Sequence, residues 1–283
     1  MTTREAILQL RSELSGCYDS REIEGMTRII FEDVLLWQPV DIVMRDGEQL
    51  PEFFDSRLAS IIARLKQHEP LQYILGKARF HGHSFAVTPA TLIPRPETEQ
   101  LVDMIVDENP GSDLAVLDIG TGSGCIAISL ARALKFAQVT ATDVSPDALA
   151  VAQHNATALK TRVRFIEQDI LTCSAPSQAW DIIVSNPPYI TEQEKATMER
   201  NVLDYEPHSA LFVPNDDPML FYRPIAAYAS RSLKNGGRLY LEINRAMAQQ
   251  VSDILRQAGL SNIHIHNDFN GNNRFITATK TLS

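Results

Sequence analysis

The chain has 283 residues, which is more than one average domain and fits a domain of ~200 residues with a smaller one. Its composition, 44% hydrophobic and 22% charged, is ordinary for a globular protein. We find no apolar run that could span a membrane and no signal-peptide pattern at the start. The net charge of −9 argues against extended wrapping of nucleic acid, which needs a basic surface. We therefore predict a cytoplasmic protein with no membrane partner and no direct nucleic-acid target.

The first segment, residues 1 to 73, is predicted to be helical. Its apolar residues recur at the three- and four-residue spacing of amphipathic helices. They are Ala6, Ile7, Leu10 and Leu14, then Ile23, Met26, Ile30, Val34 and Trp37, then Phe54, Leu58, Ile61, Ile62 and Leu65. Pro39, Gly47 and Pro51 separate these runs. We interpret 1–73 as a small helical domain that docks a substrate or stabilises the protein.

A linker is predicted at residues 74–92. Lys77 to Val87 reads as two short strands around a turn at Gly82. Pro89, Pro94 and Pro96 follow, which suits a connector with a defined path. The pairs His81/His83 and His264/His266 have no acid or cysteine at metal-ligand spacing, and the three cysteines are far apart, so we predict no metal site.

Strands and helices alternate through the last segment, residues 93–283. Apolar runs predict strands at 115–119, 138–142, 162–166, 181–184 and 238–243, with helices at 125–134, 146–159 and 219–233. The last of these helices is predicted to lead through Asn235-Gly236-Gly237 into the strand at 238–243. Alternation of this kind is typical of a doubly wound α/β domain, whose mostly parallel sheet is covered on both faces. Two final strands, near 263–266 and 274–279, are joined across Asn270-Gly271, which predicts an antiparallel hairpin at the sheet edge.

A glycine loop follows the first of these strands. It reads Asp118-Ile119-Gly120-Thr121-Gly122-Ser123-Gly124. Glycines at the carboxyl end of a strand let the backbone approach a ligand closely. Because residues 122–127 also match the dinucleotide pattern G-x-G-x-x-A, the loop predicts a nucleotide-like cofactor without choosing between NAD and S-adenosylmethionine.

Acidic residues follow the next two strands. Asp143 is placed to accept hydrogen bonds from the ribose hydroxyls of an adenosine, while Ser145 is the better N-cap for the following helix. Asp169 is a candidate partner for the adenine amine, and Ile170 is a candidate to pack on the adenine face. These positions also fit either cofactor.

The motif that separates the two cofactors is Asn186-Pro187-Pro188-Tyr189, after the fourth strand. It resembles the motif of methyltransferases that act on planar, amide-like nitrogens, whose lone pair is delocalised and poorly nucleophilic. Hydrogen bonds accepted by the Asn186 side-chain oxygen and the Pro187 carbonyl would hold both N–H groups and aim the lone pair at a methyl group. The prolines stiffen the loop, and the Tyr189 ring could stack on the planar group. The motif predicts methyl transfer with Asn186, Pro187 and Tyr189 as catalytic residues, and it argues against hydride transfer.

With these motifs, the chain resembles the peptide chain release factor glutamine methyltransferases, which modify the Gln of a Gly-Gly-Gln tripeptide. The match runs from about Leu71 to the end. Besides the glycine loop and residues 186–189, it includes Ile93-Pro94-Arg95-Pro96-Glu97-Thr98-Glu99, Tyr205-Glu206-Pro207, Leu241-Glu242-Ile243 and Arg274-Phe275-Ile276. Arg95 and Glu97 could pair structurally or contact a ligand.

The resemblance implies a helical N-terminal domain, a hairpin linker and a seven-stranded class I methyltransferase domain, with release factors as protein partners. It also implies that S-adenosylmethionine is held by Gly120 to Gly124, Asp143, Ile170 and Asn186, and the substrate glutamine by Asn186 to Tyr189. Some family members have an aromatic residue where this chain has Ile170.

Three alternatives stay open from the sequence. A related enzyme could methylate a glutamine of a ribosomal protein; residues 93–99 favour the release-factor branch by resemblance. An adenine-amine DNA methyltransferase can share the Asn-Pro-Pro-Tyr motif, but we see no basic DNA-recognition domain. A non-catalytic cofactor-binding module is disfavoured because Asn186 and the glycine loop are both intact.

Overall fold

The computed structural model describes residues 1–176 and 179–281. The chain divides into two compact units, of which the first comprises Met1–Gly76 and Glu199–Tyr205 and the second Lys77–Met198 and Glu206–Ser283. No helix in these described ranges is long and apolar enough to cross a membrane.

The first unit is helical, as its apolar spacing predicts. Its helices up to Gly76 are α1 (Thr3–Leu14), α2 (Ser20–Leu35), α3 (Pro39–Met44), α4 (Glu52–Leu65) and α5 (Leu71–Leu75). A capping box between Thr2 and Glu5 starts α1, and the Asp19 carboxylate caps α2. Leu10, Ile30 and other apolar residues of the predicted runs are fully buried in one core. Burial of each large side chain contributes about 1.5–3 kcal/mol, so these apolar faces stabilise the unit.

A β-hairpin opens the second unit. Strands β1 (Lys77–Phe80) and β2 (His83–Ala86) pair antiparallel across Gly82, whose φ of 73° suits a tight turn that favours glycine. Phe80 and Phe85 are buried in the core of the larger sheet, so the predicted hairpin also packs as part of this unit.

Seven strands of the described chain form the central sheet, which confirms the predicted fold class. The elements of this unit follow in chain order. They are α6 (Pro96–Glu108), β3 (Ala115–Ile119), α7 (Cys125–Ala133), β4 (Gln138–Asp143), α8 (Pro146–Ala158), β5 (Arg164–Glu167), β6 (Trp180–Ser185), β7 (Ile190–Thr191), β8 (Phe212–Val213), α10 (Tyr222–Ser232), β9 (Leu233–Glu242), α11 (Ala248–Gln257), β10 (Ser261–Asn267) and β11 (Asn273–Thr279), with α9 (Arg200–Leu203) belonging to the first unit. The strand order is β10-β11-β9-β6-β3-β4-β5. Strands β9, β6, β3, β4 and β5 are parallel, and β11 runs antiparallel to both its neighbours.

Helices cover both faces of this sheet. Val116 and Ile182 point to one face and pack against α6 and α7, while the next residues along the same strands, Leu117 and Ile183, pack against α10 and α11 on the other. Successive strand residues face opposite ways, so a continuous apolar run is what a sheet buried on both faces requires.

Two predictions of local structure need correction. Pro96 begins helix α6 instead of extending the connector, because its fixed φ fits the first helical position. Asn235-Gly236-Gly237 lies inside β9 instead of forming a turn before it. Gly236 and Gly237 exchange hydrogen bonds with Lys280, which continues the ladder through the glycines.

Candidate cofactor and substrate site

A cavity lies at the carboxyl ends of the parallel strands, where open α/β sheets bind ligands. Its empty volume, including the open mouth, is about 1100 Å³. The loops after β3, β4, β5 and β6 contribute to its wall. It brings together Gly120, Thr121, Gly122, Ser123, Asp143, Asp169, Ile170, Asn186, Pro187 and Pro188. Of the predicted site residues, Gly124 and Tyr189 are not among the described residues that line it.

The glycines of the loop have two different tasks. Gly120, Gly122 and Gly124 all have positive φ, at 74°, 55° and 80°. A Cβ atom on Gly120 or Gly122 would meet no atom within 4 Å, so these two keep space open beside the cavity. On Gly124, a Cβ atom would lie 3.0 Å from both the Ala152 Cβ and the Ile128 Cδ1 atoms, so this glycine permits close packing of α7 and α8.

Asp143, the last residue of β4, is hydrogen-bonded to the glycine loop. Its Oδ2 atom accepts a hydrogen bond from the Gly122 N–H at 2.8 Å, and its Oδ1 atom accepts one from the Ser145 N–H at 3.0 Å. Ser145 also caps α8, as predicted. A carboxylate has about four acceptor positions, so Asp143 can hold the loop and still accept ligand hydroxyls. An open glycine wall beside a carboxylate fits an adenosine-bearing cofactor.

Replacement of Asp143 by Ala should weaken S-adenosylmethionine binding by about 2–3 kcal/mol, the scale of lost charge-assisted hydrogen bonds. Asp143→Asn should lose less, because its amide oxygen can still accept from one backbone N–H. Asp147→Ala, which removes an exposed carboxylate four residues away, is the matched control. Calorimetry showing equal affinity for folded Asp143→Ala and the control would exclude Asp143 from the site.

Asp118, at the head of the glycine loop, is fully buried. Its Oδ2 atom accepts a hydrogen bond from the Thr121 hydroxyl at 2.7 Å. Burial raises the pKa of Asp118 from 3.8 to about 7, against the opposing effect of the Thr121 hydrogen bond. The folded chain therefore holds a proton here that the unfolded chain releases in mildly acidic solution.

The stability of the protein should depend on pH through Asp118. Between about pH 4 and pH 7 the folded state binds more protons at this group than the unfolded state, so its contribution falls as pH rises. Relative to wild type, Asp118→Asn should therefore gain stability across this window, by at most ~1.4 kcal/mol per pH unit. Urea unfolding at several pH values measures the difference, and a difference that does not vary with pH would contradict the raised pKa.

The Asn186–Tyr189 loop is held at its far end by buried polar groups. The Tyr189 hydroxyl donates to the Glu242 Oε1 atom at 3.0 Å and accepts from the Arg274 Nη1 atom at 3.3 Å. Asn244 donates to the Tyr189 carbonyl at 3.1 Å. Burial raises the pKa of the Tyr189 phenol, so this hydroxyl stays protonated and able to donate. These contacts fix the loop that carries Asn186 and the two prolines.

The segment 93–99 is held by two buried glutamates from distant parts of the chain. Glu206 accepts from the Ile93 N–H at 3.2 Å and from the Arg95 guanidinium at 2.6 Å. Glu242 accepts from the Thr98 hydroxyl at 2.7 Å. The sequence alone assigns no role to either glutamate, although both lie in the motifs Tyr205-Glu206-Pro207 and Leu241-Glu242-Ile243. The only indication in the sequence is a carboxylate next to apolar or proline residues. Arg95 thus pairs structurally, and it also lines the cavity.

Asp169 and Ile170 both line the cavity after β5. The Asp169 carboxylate accepts from the Leu171 N–H at 2.9 Å, which leaves acceptor positions for a ligand amine. In the described part of the chain, no group of three or more His, Cys, Asp or Glu residues is placed to hold a metal ion.

Comparison with known proteins agrees with this fold. The family model "Methyltransferase small domain" matches residues 97–204, and the model "PrmC N-terminal domain" matches residues 5–76. A release factor glutamine methyltransferase from Bacteroides thetaiotaomicron is 44% identical over 272 residues, which cover 96% of this chain and 98% of that protein. The protein of the same name from Flavobacterium psychrophilum is also 44% identical, with 95% of each chain covered.

A solved methyltransferase structure from Pyrococcus furiosus has the same fold. Its TM-score is 0.53 at 16% identity, and the match covers 82% of this chain and all of that one. The predicted family, fold, cofactor and enzyme class are thereby confirmed. This chain is an S-adenosylmethionine-dependent methyltransferase that belongs to the release factor glutamine methyltransferase family.

Proposed function

We propose that this protein transfers the methyl group of S-adenosylmethionine to the side-chain amide nitrogen of the Gln in the Gly-Gly-Gln tripeptide of peptide chain release factors. The observation that carries the proposal is the anchored Asn186–Pro187–Pro188 loop, which lines the same cavity as Asp143 and the glycine loop. The part of the cavity beside the glycine loop and Asp143 suits a cofactor, and the part beside Asn186–Pro188 suits a planar amide.

The residues of this loop have complementary roles in the proposal. Asn186 and Pro187 accept hydrogen bonds from the two N–H groups of the substrate amide, through the side-chain oxygen and the main-chain carbonyl. These bonds hold the nitrogen in place and increase its electron density, which offsets the delocalisation that makes an amide a poor nucleophile. S-adenosylmethionine supplies an electrophilic methyl group. The broken S–CH₃ bond would leave its electron pair on sulfur as a neutral thioether. The nitrogen becomes more acidic as it is alkylated and releases one proton to water, so no prior general base is needed.

For Tyr189 we propose a role other than the stacking role that the sequence predicts. Its hydroxyl is bound to Glu242 and Arg274, and its ring packs against the core formed by α10 and β9. These contacts favour a role in holding the loop over a role in stacking on the substrate.

On the cofactor side, we assign the backbone of Gly120 to Gly124 and the Asp143 carboxylate to the adenosine and methionine parts of the ligand. Asp169 and Ile170 contact the adenine. The helices of residues 1–73 dock the protein substrate, and residues 74–92 link them to the catalytic domain. Two glycines before the target Gln let the peptide enter a narrow cleft without a Cβ clash. In this proposal the enzyme acts in the cytoplasm, where release factors work.

One assay tests the proposal against its alternatives. The purified protein is offered labelled S-adenosylmethionine together with a release factor, a ribosomal protein fraction or DNA, and the product is mapped by peptide mass spectrometry. We expect a single methyl group on the Gln of the tripeptide. Label on DNA, on a ribosomal protein alone, or on another residue of the release factor would refute the proposed substrate.

A further inference from the structure

We propose that Thr98 and Glu242 are positioning residues that determine which end of the Asn186 side-chain amide faces the cavity. The proposal deepens the function proposed above and rests on the role of Asn186 as an acceptor for the substrate amide. Neither residue belongs to the glycine loop or to the Asn-Pro-Pro-Tyr motif.

A chain of hydrogen bonds connects the loop to the interior of the domain. The Asn186 Nδ2 atom donates to the Thr98 Oγ1 atom at 3.4 Å, and the Thr98 hydroxyl donates to the Glu242 Oε2 atom at 2.7 Å. From the other side, Arg274 donates to the Tyr189 hydroxyl at 3.3 Å, and that hydroxyl donates to the Glu242 Oε1 atom at 3.0 Å. Thr98 is 3% exposed and Glu242 2%, so water does not compete for these bonds.

The Arg274 guanidinium and the Glu242 carboxylate together set the donor-to-acceptor direction of each hydrogen bond in this series. A guanidinium can only donate and a carboxylate can only accept. The single proton of the Thr98 hydroxyl is committed to Glu242, so the Thr98 oxygen can only accept a hydrogen bond from Asn186. Asn186 must therefore turn its NH₂ group towards Thr98, and its Oδ1 atom away from Thr98.

This orientation matters because the two ends of an asparagine amide have nearly the same shape but opposite hydrogen-bonding character. With Oδ1 towards the cavity, Asn186 accepts a hydrogen bond from a substrate amide. With NH₂ towards the cavity, two donors would face each other and the substrate amide would lose its acceptor. Burial raises the pKa of Glu242, while the hydrogen bonds from Thr98 and Tyr189 oppose that shift because they stabilise the carboxylate. Glu242 accepts the Thr98 proton, and in this way it selects the productive orientation of Asn186 before substrate binds.

Residue Arg274 is in turn held by Asp268, whose buried carboxylate accepts from the Arg274 Nε atom at 3.2 Å and from the N–H groups of Asn270 and Asn272. The turn between β10 and β11 therefore supports the donor end of this series of hydrogen bonds.

The test uses the 283-residue chain and five variants. Thr98→Val removes the hydroxyl at nearly constant shape, and Thr98→Ser retains it. Asn186→Ala and the double variant Thr98→Val/Asn186→Ala complete a double-mutant cycle. Thr277→Val is the matched control, because it removes another buried threonine hydroxyl, one that contacts His266 in the terminal hairpin.

We expect Thr98→Val to lower kcat roughly tenfold, by loss of a positioned polar group, with S-adenosylmethionine affinity within about twofold of wild type. Thr98→Ser and Thr277→Val should retain wild-type kcat. In the Asn186→Ala background, Thr98→Val should cause no further loss, since Thr98 acts through Asn186. An unchanged kcat for Thr98→Val, or losses that multiply in the double variant, would overturn the proposal.

A second measurement does not depend on the substrate. The side-chain amide resonances of Asn186, assigned by their absence in Asn186→Ala, should shift in Thr98→Val and stay unchanged in Thr277→Val. If wild-type protein methylated no release factor while this shift was observed, the proposed function would fail and the positioning role would stand. Unshifted resonances in Thr98→Val would refute the positioning role whatever the substrate.

Glu242→Gln tests the carboxylate itself. The new amide can donate to the Thr98 hydroxyl and so permits the reversed direction, so we expect a loss of kcat at least as large as in Thr98→Val. Thermal unfolding shows whether the buried variant folds. A folded Glu242→Gln enzyme with wild-type kcat would contradict the selection of the Asn186 orientation by the Glu242 acceptor.

Discussion

Asn186→Ala should lower the rate of methyl transfer by about 10²-fold or more, the cost of removing one preorganised polar group at a reacting centre. In the structure Asn186 lines the cavity, and its side-chain amide donates a hydrogen bond to Thr98. The loop that carries Asn186 is also held by the hydrogen bond between Tyr189 and Glu242. An alanine leaves the substrate nitrogen with one acceptor instead of two. Single-turnover kinetics with saturating release factor measure the loss.

The companion variant Asn186→Gln keeps the amide but moves it by one methylene group. Since misplacement by about 1 Å can cost as much as 10²-fold, we expect this variant to be strongly impaired as well. Circular dichroism and thermal unfolding should show that both variants keep the fold. Single-turnover rates like those of wild type in Asn186→Ala would remove Asn186 from the chemistry.

Replacement of the target Gln by Glu in the release factor should abolish labelling altogether. A carboxylate has no N–H to donate to Asn186 or Pro187, and its charge is repelled by the two acceptor oxygens that a primary amide would satisfy. The measurement is peptide mass spectrometry of wild-type and Gln→Glu release factor after reaction with S-adenosylmethionine. Methyl groups on the Glu protein at the wild-type level would show that the enzyme modifies a different residue.

The same assay with a short peptide separates the tripeptide from the rest of the substrate. If the helices of residues 1–73 dock the release factor, the intact factor should be methylated much faster than a peptide with the same Gly-Gly-Gln sequence. Each glycine before the Gln removes a side chain from the entry to the cleft, so substitution of either by a larger residue should slow the reaction. Equal rates for peptide and intact factor would argue against a docking role for the helices.

Much of the fold is determined by local features of the sequence. The apolar spacing of the first helices, the short apolar runs of the strands and the Asn270-Gly271 turn are each set by residues that are neighbours in the chain. The same is true of Asp143 and Asn186, because the carboxyl ends of parallel strands meet at one edge of the sheet. A glycine, an acid or an amide that directly follows a predicted parallel strand is therefore expected beside the cavity.

Tertiary structure alone decides which partner each polar residue receives. Thr98 and Glu242 are 144 residues apart, and Arg95 and Glu206 are 111 apart. No local pattern specifies such pairs, because they depend on which loops the strand order brings together. The insertion of β11 between β9 and β10 brings Arg274 to Tyr189, which favours the proposed anchoring role of this tyrosine over stacking on the substrate.

Within the seven residues of the glycine loop, too, local sequence determines some features and tertiary packing determines others. The sequence alone determined that the loop follows a strand and needs glycine, since positive φ is costly for other residues. Only packing decided that Gly120 and Gly122 leave space beside the cavity while Gly124 makes room for α8, because the distance between two helices is a property of the assembled domain. The apolar run at 115–119 predicts a buried strand, but the packing that fully buries Asp118 and raises its pKa exists only in the assembled domain.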